Sequence, residues 1–325
     1  MVSEAPFGPH SSEARHSVST MSTLAFVAPT IAHFSSRVPR TRVARSLGAS
    51  RAGRVVGRRV RWLRVEASDG GKLWFEQLPI VGPVLSAVTP PRVKQAATEM
   101  EYFGQAPLQA RPTAPTPVLG ASSRNEVPIY DFTSSGKDAA NFRAVWGALN
   151  DVVMGGSSEG AGSIVTIPEE DGGTCARLGG VVEGQSGGFV SIRTRNFDSP
   201  LDLSAYDGVR LRCRGDGNRF KLILYDEDDW WGSIAFHAAF DTVEGAWLDV
   251  DVPFTDFQPV RRGEAVPVGS PDRRAMRTSS VRSMQLMLSK FTYGMGDLNP
   301  SFASGPFYLE VSKVSAYRGD AGATR

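Results

Sequence analysis

The chain has 325 residues, with 36 Lys+Arg against 34 Asp+Glu and a formal net charge of +2. Of its two Cys and four His only Cys175, Cys213 and His237 lie beyond residue 33, so that part cannot supply a zinc site of four cysteines, two cysteines with two histidines, or three histidines. At 41% hydrophobic and 22% charged residues a packed core is affordable, and no run of about 18 apolar residues offers a membrane-spanning helix.

The charge is unevenly spread. Residues 1–66 hold eleven Arg, no Lys and three Glu, which gives +8, and the remainder sums to −6. A basic leader ahead of a mildly acidic body argues against nucleic acid as the body's partner. No acidic residue occurs from Ala14 to Val65, in a stretch rich in Arg, Ser, Val and Ala. That composition predicts a disordered transit peptide over residues 1–67. Leu24-Ala25-Phe26-Val27-Ala28-Pro29 and Val65-Glu66-Ala67 resemble algal plastid leaders and their cleavage pattern, so the chloroplast is expected. The Arg load also suits a mitochondrial leader, the alternative. Either Met1 or Met21 can be the start.

Residues 68–125 read as a connector. The apolar segment 73–85 is broken by Pro79 and Pro83 and is too short to span a bilayer, which leaves packing on the body or peripheral membrane or partner contact. Residues 91–103 suit a short helix. Pro107, Pro112, Pro115 and Pro117 make residues 106–117 an extended linker.

The body, residues 126–320, shows the two-residue period of half-buried strands. Val209, Leu211 and Cys213 alternate with Arg210, Arg212 and Arg214, and Gly215-Asp216-Gly217-Asn218 is expected to reverse the chain. Phe220, Leu222 and Leu224 begin the next strand. Further runs fall at Val190/Ile192, Leu248/Val250/Val252, Met284/Leu286/Leu288 and Phe307/Leu309/Val311. Short strands with turn residues between them predict an all-β antiparallel sandwich or jelly roll. Helix is expected only as pieces, at 138–143 and 200–206. Residues 321–325 form a disordered tail. Both cysteines are expected as buried thiols.

The most informative stretch is Trp146-Gly-Ala-Leu-Asn150-Asp151-Val-Val-Met154-Gly155-Gly156-Ser157. It is followed in order by Gly187-Gly188-Phe189-Val190-Ser191-Ile192-Arg193, Asp202-Leu203-Ser204-Ala205-Tyr206-Asp207-Gly208, Arg214-Gly215-Asp216-Gly217, and Val252-Pro253-Phe254-Thr255-Asp256-Phe257. Together these motifs resemble the complex I intermediate-associated protein 30 family over roughly residues 129–318. The resemblance implies a galactose-binding-domain-like β-sandwich. It also implies an assembly factor or chaperone that binds intermediates of a membrane electron-transfer complex, either the NADH dehydrogenase of mitochondria or a plastid photosynthetic complex, together with other assembly factors. Some plastid relatives are fused to a dehydrogenase-like domain, but no Gly-x-Gly-x-x-Gly opening a βαβ unit occurs here.

Read physically, Asn150 and Asp151 can bond their own loop, Gly155 and Gly156 permit positive φ, and Trp146 can anchor the loop on the sandwich. The same residues can equally form a ligand or partner site. Arg193 is expected to pair with Asp151. Asp226-Glu227-Asp228-Asp229, followed by Trp230 and Trp231, is either a calcium loop or a solvated turn with an aromatic contact patch. A single body histidine, His237, lies among apolar residues, and no Gly-x-Ser-x-Gly elbow accompanies it, so no catalytic set, metal or cofactor is expected. The expected partner- or ligand-binding surface comprises Trp146, Asn150, Asp151, Met154, Gly155, Gly156, Arg193, Asp216, Trp230 and Trp231. A carbohydrate- or small-ligand-binding module is the alternative to the assembly factor.

Overall fold

The computed structural model describes residues 89–103, 112–119, 125–167, 173–185, 187–228 and 232–319. The leader, the 73–85 segment, Trp230, Trp231 and the 321–325 tail lie outside these residues. In chain order the elements are helix α1 (Pro91–Tyr102), strand β1 (Glu126–Asp131), helix α2 (Phe142–Val145), and strands β2 (Trp146–Ala148), β3 (Glu159–Ile167), β4 (Gly173–Val182), β5 (Phe189–Thr194), β6 (Gly208–Gly215), β7 (Arg219–Tyr225), β8 (Ala235–Asp241), β9 (Trp247–Pro253), β10 (Gln258–Arg261), β11 (Glu264–Ala265), β12 (Ser283–Ser289) and β13 (Gly305–Tyr317). Among the described residues no helix is long and apolar enough to cross a membrane.

The strands build two antiparallel sheets. One runs β3-β4-β13-β6-β9, with β1 also paired to β13, and the other runs β11-β10-β8-β7-β12-β5-β2. Alternation along each strand decides what lies between them. Ala176, Leu178, Leu211, Cys213, Leu309 and Val311 from the first sheet meet Val190, Ile192, Phe220, Leu222, Leu224, Phe236 and Leu288 from the second, in one continuous core. Phe220 is fully buried and lies near Phe240 and Phe307, with ring centroids 6.1 and 6.3 Å away. The fold is the antiparallel sandwich that the alternation predicts.

Local outcomes differ in four places. The short helix expected at 138–143 falls instead at Phe142–Val145, after turns through residues 138–141. Residues 200–206 form no helix: Asp202 accepts hydrogen bonds from the Ser204 N–H and hydroxyl, and Leu201 bridges Val281 instead. Such side-chain bonds compete with the helix ladder. The turn at 215–218 joins strands of different sheets, so it carries the chain across the sandwich and closes no hairpin. The Pro-rich stretch is extended and also pinned: Ala114 N–H donates to Asn196 O and Asp198 N–H to Ala114 O, both at 2.9 Å.

The outer face of the first sheet is wet. Across β6 and β9, Arg210 faces Asp251 and Arg212 faces Asp249, and each pair forms an ion pair. Truncating Phe220 to Ala should lower the unfolding free energy by about 3–5 kcal/mol. Val268→Ala, at an 89% exposed position, should stay within ~0.5 kcal/mol of wild type. Urea unfolding of both variants measures the contrast.

Candidate functional site

The loop between β2 and β3 carries the Asn150–Gly156 motif. Trp146, 4% exposed, sits edge-on to Tyr130 and Phe132 and stacks with Phe142, at centroid distances of 5.3, 6.2 and 6.2 Å. This aromatic cluster fixes where the loop begins. The chain then makes a 3₁₀ turn over Asp151–Met154.

Asp151 is fully buried, and its carboxylate joins two separate loops. Oδ1 accepts the Ser158 N–H at 2.9 Å. Oδ2 accepts the Ser158 hydroxyl at 2.7 Å and the Gly188 and Phe189 N–H groups at 2.8 and 3.3 Å. Gly155 closes the 3₁₀ turn with φ 85. Gly156 is needed for space rather than for a positive φ, because a Cβ there would lie 2.2 Å from the Asp151 carboxyl carbon.

Asn150, also fully buried, points the other way. Its side-chain amide donates to Glu99 Oε1 and to Gly160 O, both at 2.9 Å, and its backbone N–H donates to Glu99 Oε2 at 2.7 Å. Glu99 lies on α1, is 4% exposed, and also accepts from Gln95. Burial lifts its carboxyl above the usual range against the opposing hydrogen bonds from Asn150 and Gln95, and the nearby Asp151 charge adds to the rise. Asn150 Oδ1 accepts the Ser191 N–H at 3.3 Å. From Ser191 a polar network runs over the outer face of the second sheet: Gln285 donates to Ser191 Oγ at 2.8 Å, and Tyr225 donates to Gln285 Oε1 at 2.7 Å.

Arg193 joins this network and does not pair with Asp151. Its guanidinium donates to Ser283 Oγ at 2.9 Å and Asn196 Oδ1 at 3.0 Å, and lies 4.3 Å from the Tyr225 ring centroid and 5.6 Å from that of Phe103. Asp151 adjoins the start of β5, whereas Arg193 is near its other end, four residues along an extended strand. Of the predicted surface residues, Trp146, Asn150, Asp151 and Gly156 are buried, and Met154 is 68% exposed beside Gly155. Asp216 ties its own turn to β13, accepting from Asn218 within the turn and from the Tyr308 N–H. Sequence reasoning missed Glu99, Ser158 and Gln285. Only Ser191, inside a quoted motif, carried any signal.

The described part of the acidic run, residues 226–228, is taken up by arginines, and Asp229 lies outside the described residues. Asp226 accepts from both Arg274 and Arg277, Glu227 accepts from the same two, and Asp228 accepts from Arg282. Burial alone would raise the Asp226 carboxyl, but these bonds hold it below the usual range. Among the described residues no group of three or more His, Cys, Asp or Glu is placed to hold a metal ion. Cys175 and Cys213 are free and buried, and burial pushes the Cys213 thiol up to about 12. His237 is 9% exposed, with Nδ1 lacking a hydrogen-bond partner, and burial holds it well below its usual pKa. Lys221, on the same outer face, donates to Phe291 O at 2.9 Å, and burial lowers its amine from 10.5 to about 7.

Two outcomes follow. Asp151→Ala leaves buried N–H groups of two loops unpaired and should remove about 3 kcal/mol or more of stability, read by urea unfolding. Lys221 gives a pH signature. Between pH 7 and 9 the unfolded chain holds a proton on this amine that the folded chain has largely released, so stability gains with pH by up to ~1.4 kcal/mol per unit. Subtracting the Lys221→Met profile from that of the wild type isolates this slope.

The Complex I intermediate-associated protein 30 (CIA30) family matches residues 130–311, more than half of the chain. No curated protein matches the sequence. Among solved structures, a family 11 carbohydrate-binding module from Clostridium thermocellum, in complex with a β-1,3-1,4-mixed-linked tetrasaccharide, is similar at 14% identity and a TM-score of 0.41, covering 61% of this chain and 98% of that one. An exo-β-agarase is similar at 10% identity and TM-score 0.35, over 60% of this chain and 26% of that one. TmCBM61 in complex with β-1,4-galactotriose is similar at 8% identity and TM-score 0.28, over 56% and 97%. These are likenesses of fold alone. The motifs around Asn150, Gly187 and Asp216 all fall within the matched residues, and the chain belongs to the complex I intermediate-associated protein 30 family, which ties it in general terms to complex I assembly.

Proposed function

We propose that the protein is a non-catalytic assembly factor of an organelle, preferably the chloroplast, that holds intermediates of a membrane electron-transfer complex. The client is a complex I-type NADH dehydrogenase or a plastid photosynthetic complex. The observation that carries this reading is the family match over residues 130–311. The geometry supports it. The motif carboxylate, Asp151, spends its capacity on four hydrogen bonds within the fold and has no exposure with which to take a substrate proton. His237 is likewise packed on the sheet. An assembly factor needs only a surface that favours an unfinished partner over the finished one. The basic leader, free of acidic residues from Ala14 to Val65, supports import into an organelle.

The test is localisation and pull-down of the full chain carrying a C-terminal tag, from fractionated cells. Recovery from the plastid with thylakoid-complex subunits is the expected outcome. Recovery from the mitochondrion with complex I subunits keeps the mechanism and changes the client. Recovery without any membrane-complex subunit overturns the assembly role and favours carbohydrate or small-ligand binding.

A further inference from the structure

Helix α1 is held to the sandwich in an unusual way. Twelve residues are marginal for a helix on its own, and this one has Pro90 at its N-cap with no side-chain cap, no acid in its first turn and no base in its last. It does not compensate with an apolar face. Its one buried residue is Glu99, while Val93 and Met100 are 52% and 37% exposed. The attachment comes from its C-terminal end. Glu99 takes the backbone and side-chain N–H groups of Asn150. The Tyr102 hydroxyl donates to Arg143 O at 3.1 Å, and Arg195 lies 4.1 Å above its ring. Phe103, 7% exposed, lies against Arg193. The receiving face is shaped for that ring, since a Cβ on Gly147 would lie 2.4 Å from Tyr102 ring atoms. Docking also buries the Glu99 carboxylate near that of Asp151, and both raise its carboxyl above the usual range.

We propose that Gly147, Asn150, Arg193 and Arg195 form a receptor for a helix end of the form Glu-x-x-aromatic-aromatic. Helix α1 is its built-in occupant, and a partner protein's helix of the same chemistry replaces it. The sandwich supplies all the recognition: two N–H donors for a carboxylate, a bare glycine under the first ring, and a guanidinium for each ring. The signature loop therefore serves as a docking site that the chain keeps closed against other proteins until such a helix arrives. The partner's identity rests on the assembly reading, and the receptor does not.

The test uses the full chain and a fluorescent peptide of residues 89–103. Glu99→Ala in the chain disables the built-in occupant, and this variant should bind the peptide at least tenfold more tightly than wild type does. The peptide carrying Glu99→Ala should bind at least tenfold more weakly, and adding Gly147→Ala to the opened chain should abolish binding. Hydrogen exchange on the wild type, which needs no variant, should show the amides of 91–103 opening at least tenfold faster than those of β5 and β12. Equal protection of α1 and these strands, or no peptide binding by the opened chain, overturns the receptor. A mixed dimer of the Glu99→Ala chain with the wild-type chain, which the peptide dissolves, makes a second copy the occupant and overturns the assignment to another protein. None of these readouts involves a client, so they can fail while the pull-down succeeds, and the reverse.

Discussion

The carboxylate of Asp151 is the point on which the loops at this end of the sandwich depend. A buried carboxylate without partners costs far more than the fold could offset, so its four donors are a requirement. Those donors come from Ser158, just before β3, and from Gly188 and Phe189, at the entry to β5. One side chain thereby spaces the edge strand of one sheet, β3, against β5, the next strand in from the edge of the other. The space it fills leaves no room for a side chain at Gly156. With Asp151 turned inward, its neighbour Asn150 is turned towards α1 and the outer face of the second sheet. The polar network through Ser191 and Gln285 starts from that orientation.

The two outer faces solve the polar problem differently. On the first sheet, charges alternate across β6 and β9 and remain in contact with water, where ion pairs add little stability and much solubility. On the second sheet the polar side chains along β5, β12 and the middle of β7 are buried, and most are neutral. Gln285, Ser191 and Tyr225 hand hydrogen bonds along a line, with Arg193 held between aromatic rings and Ser283. Where a charge would be stranded, as at Lys221, burial drives the amine towards its neutral form. Buried networks of this kind specify geometry strongly because every unmade bond is costly.

Much of the fold was legible. Val209, Leu211 and Cys213 reveal a half-buried strand because the strand period is two, whatever the partner strand is. The same rule exposes β7, β12 and β13. The turn at Gly215–Asn218 was recognisable as a turn, but which sheet the next strand joins is decided by long-range packing. Gly156 was marked by its motif for a different reason from the one that holds, since the space it guards is set by Asp151 folding back. Arg193 is expected from the sequence to pair with Asp151, and it is found buried against Ser283, which stands 90 residues away and is a neighbour only in three dimensions. Glu99 carried no signal: it lies 51 residues before Asn150, and nothing local to it announces a buried carboxylate.

Strand β13 has a consequence for how the protein is made. It lies between β4 and β6 and also carries β1, so three earlier strands of the first sheet have no common partner until residues 305–317 are in place. A chain emerging amino end first, from a ribosome or an import channel, must hold β1, β4 and β6 with open edges while more than 85 residues separate β6 from the strand that unites them. Open edges invite pairing with other chains. The emerging chain therefore passes through a stage with unpaired strand edges, and its sandwich closes only as the last strand is delivered.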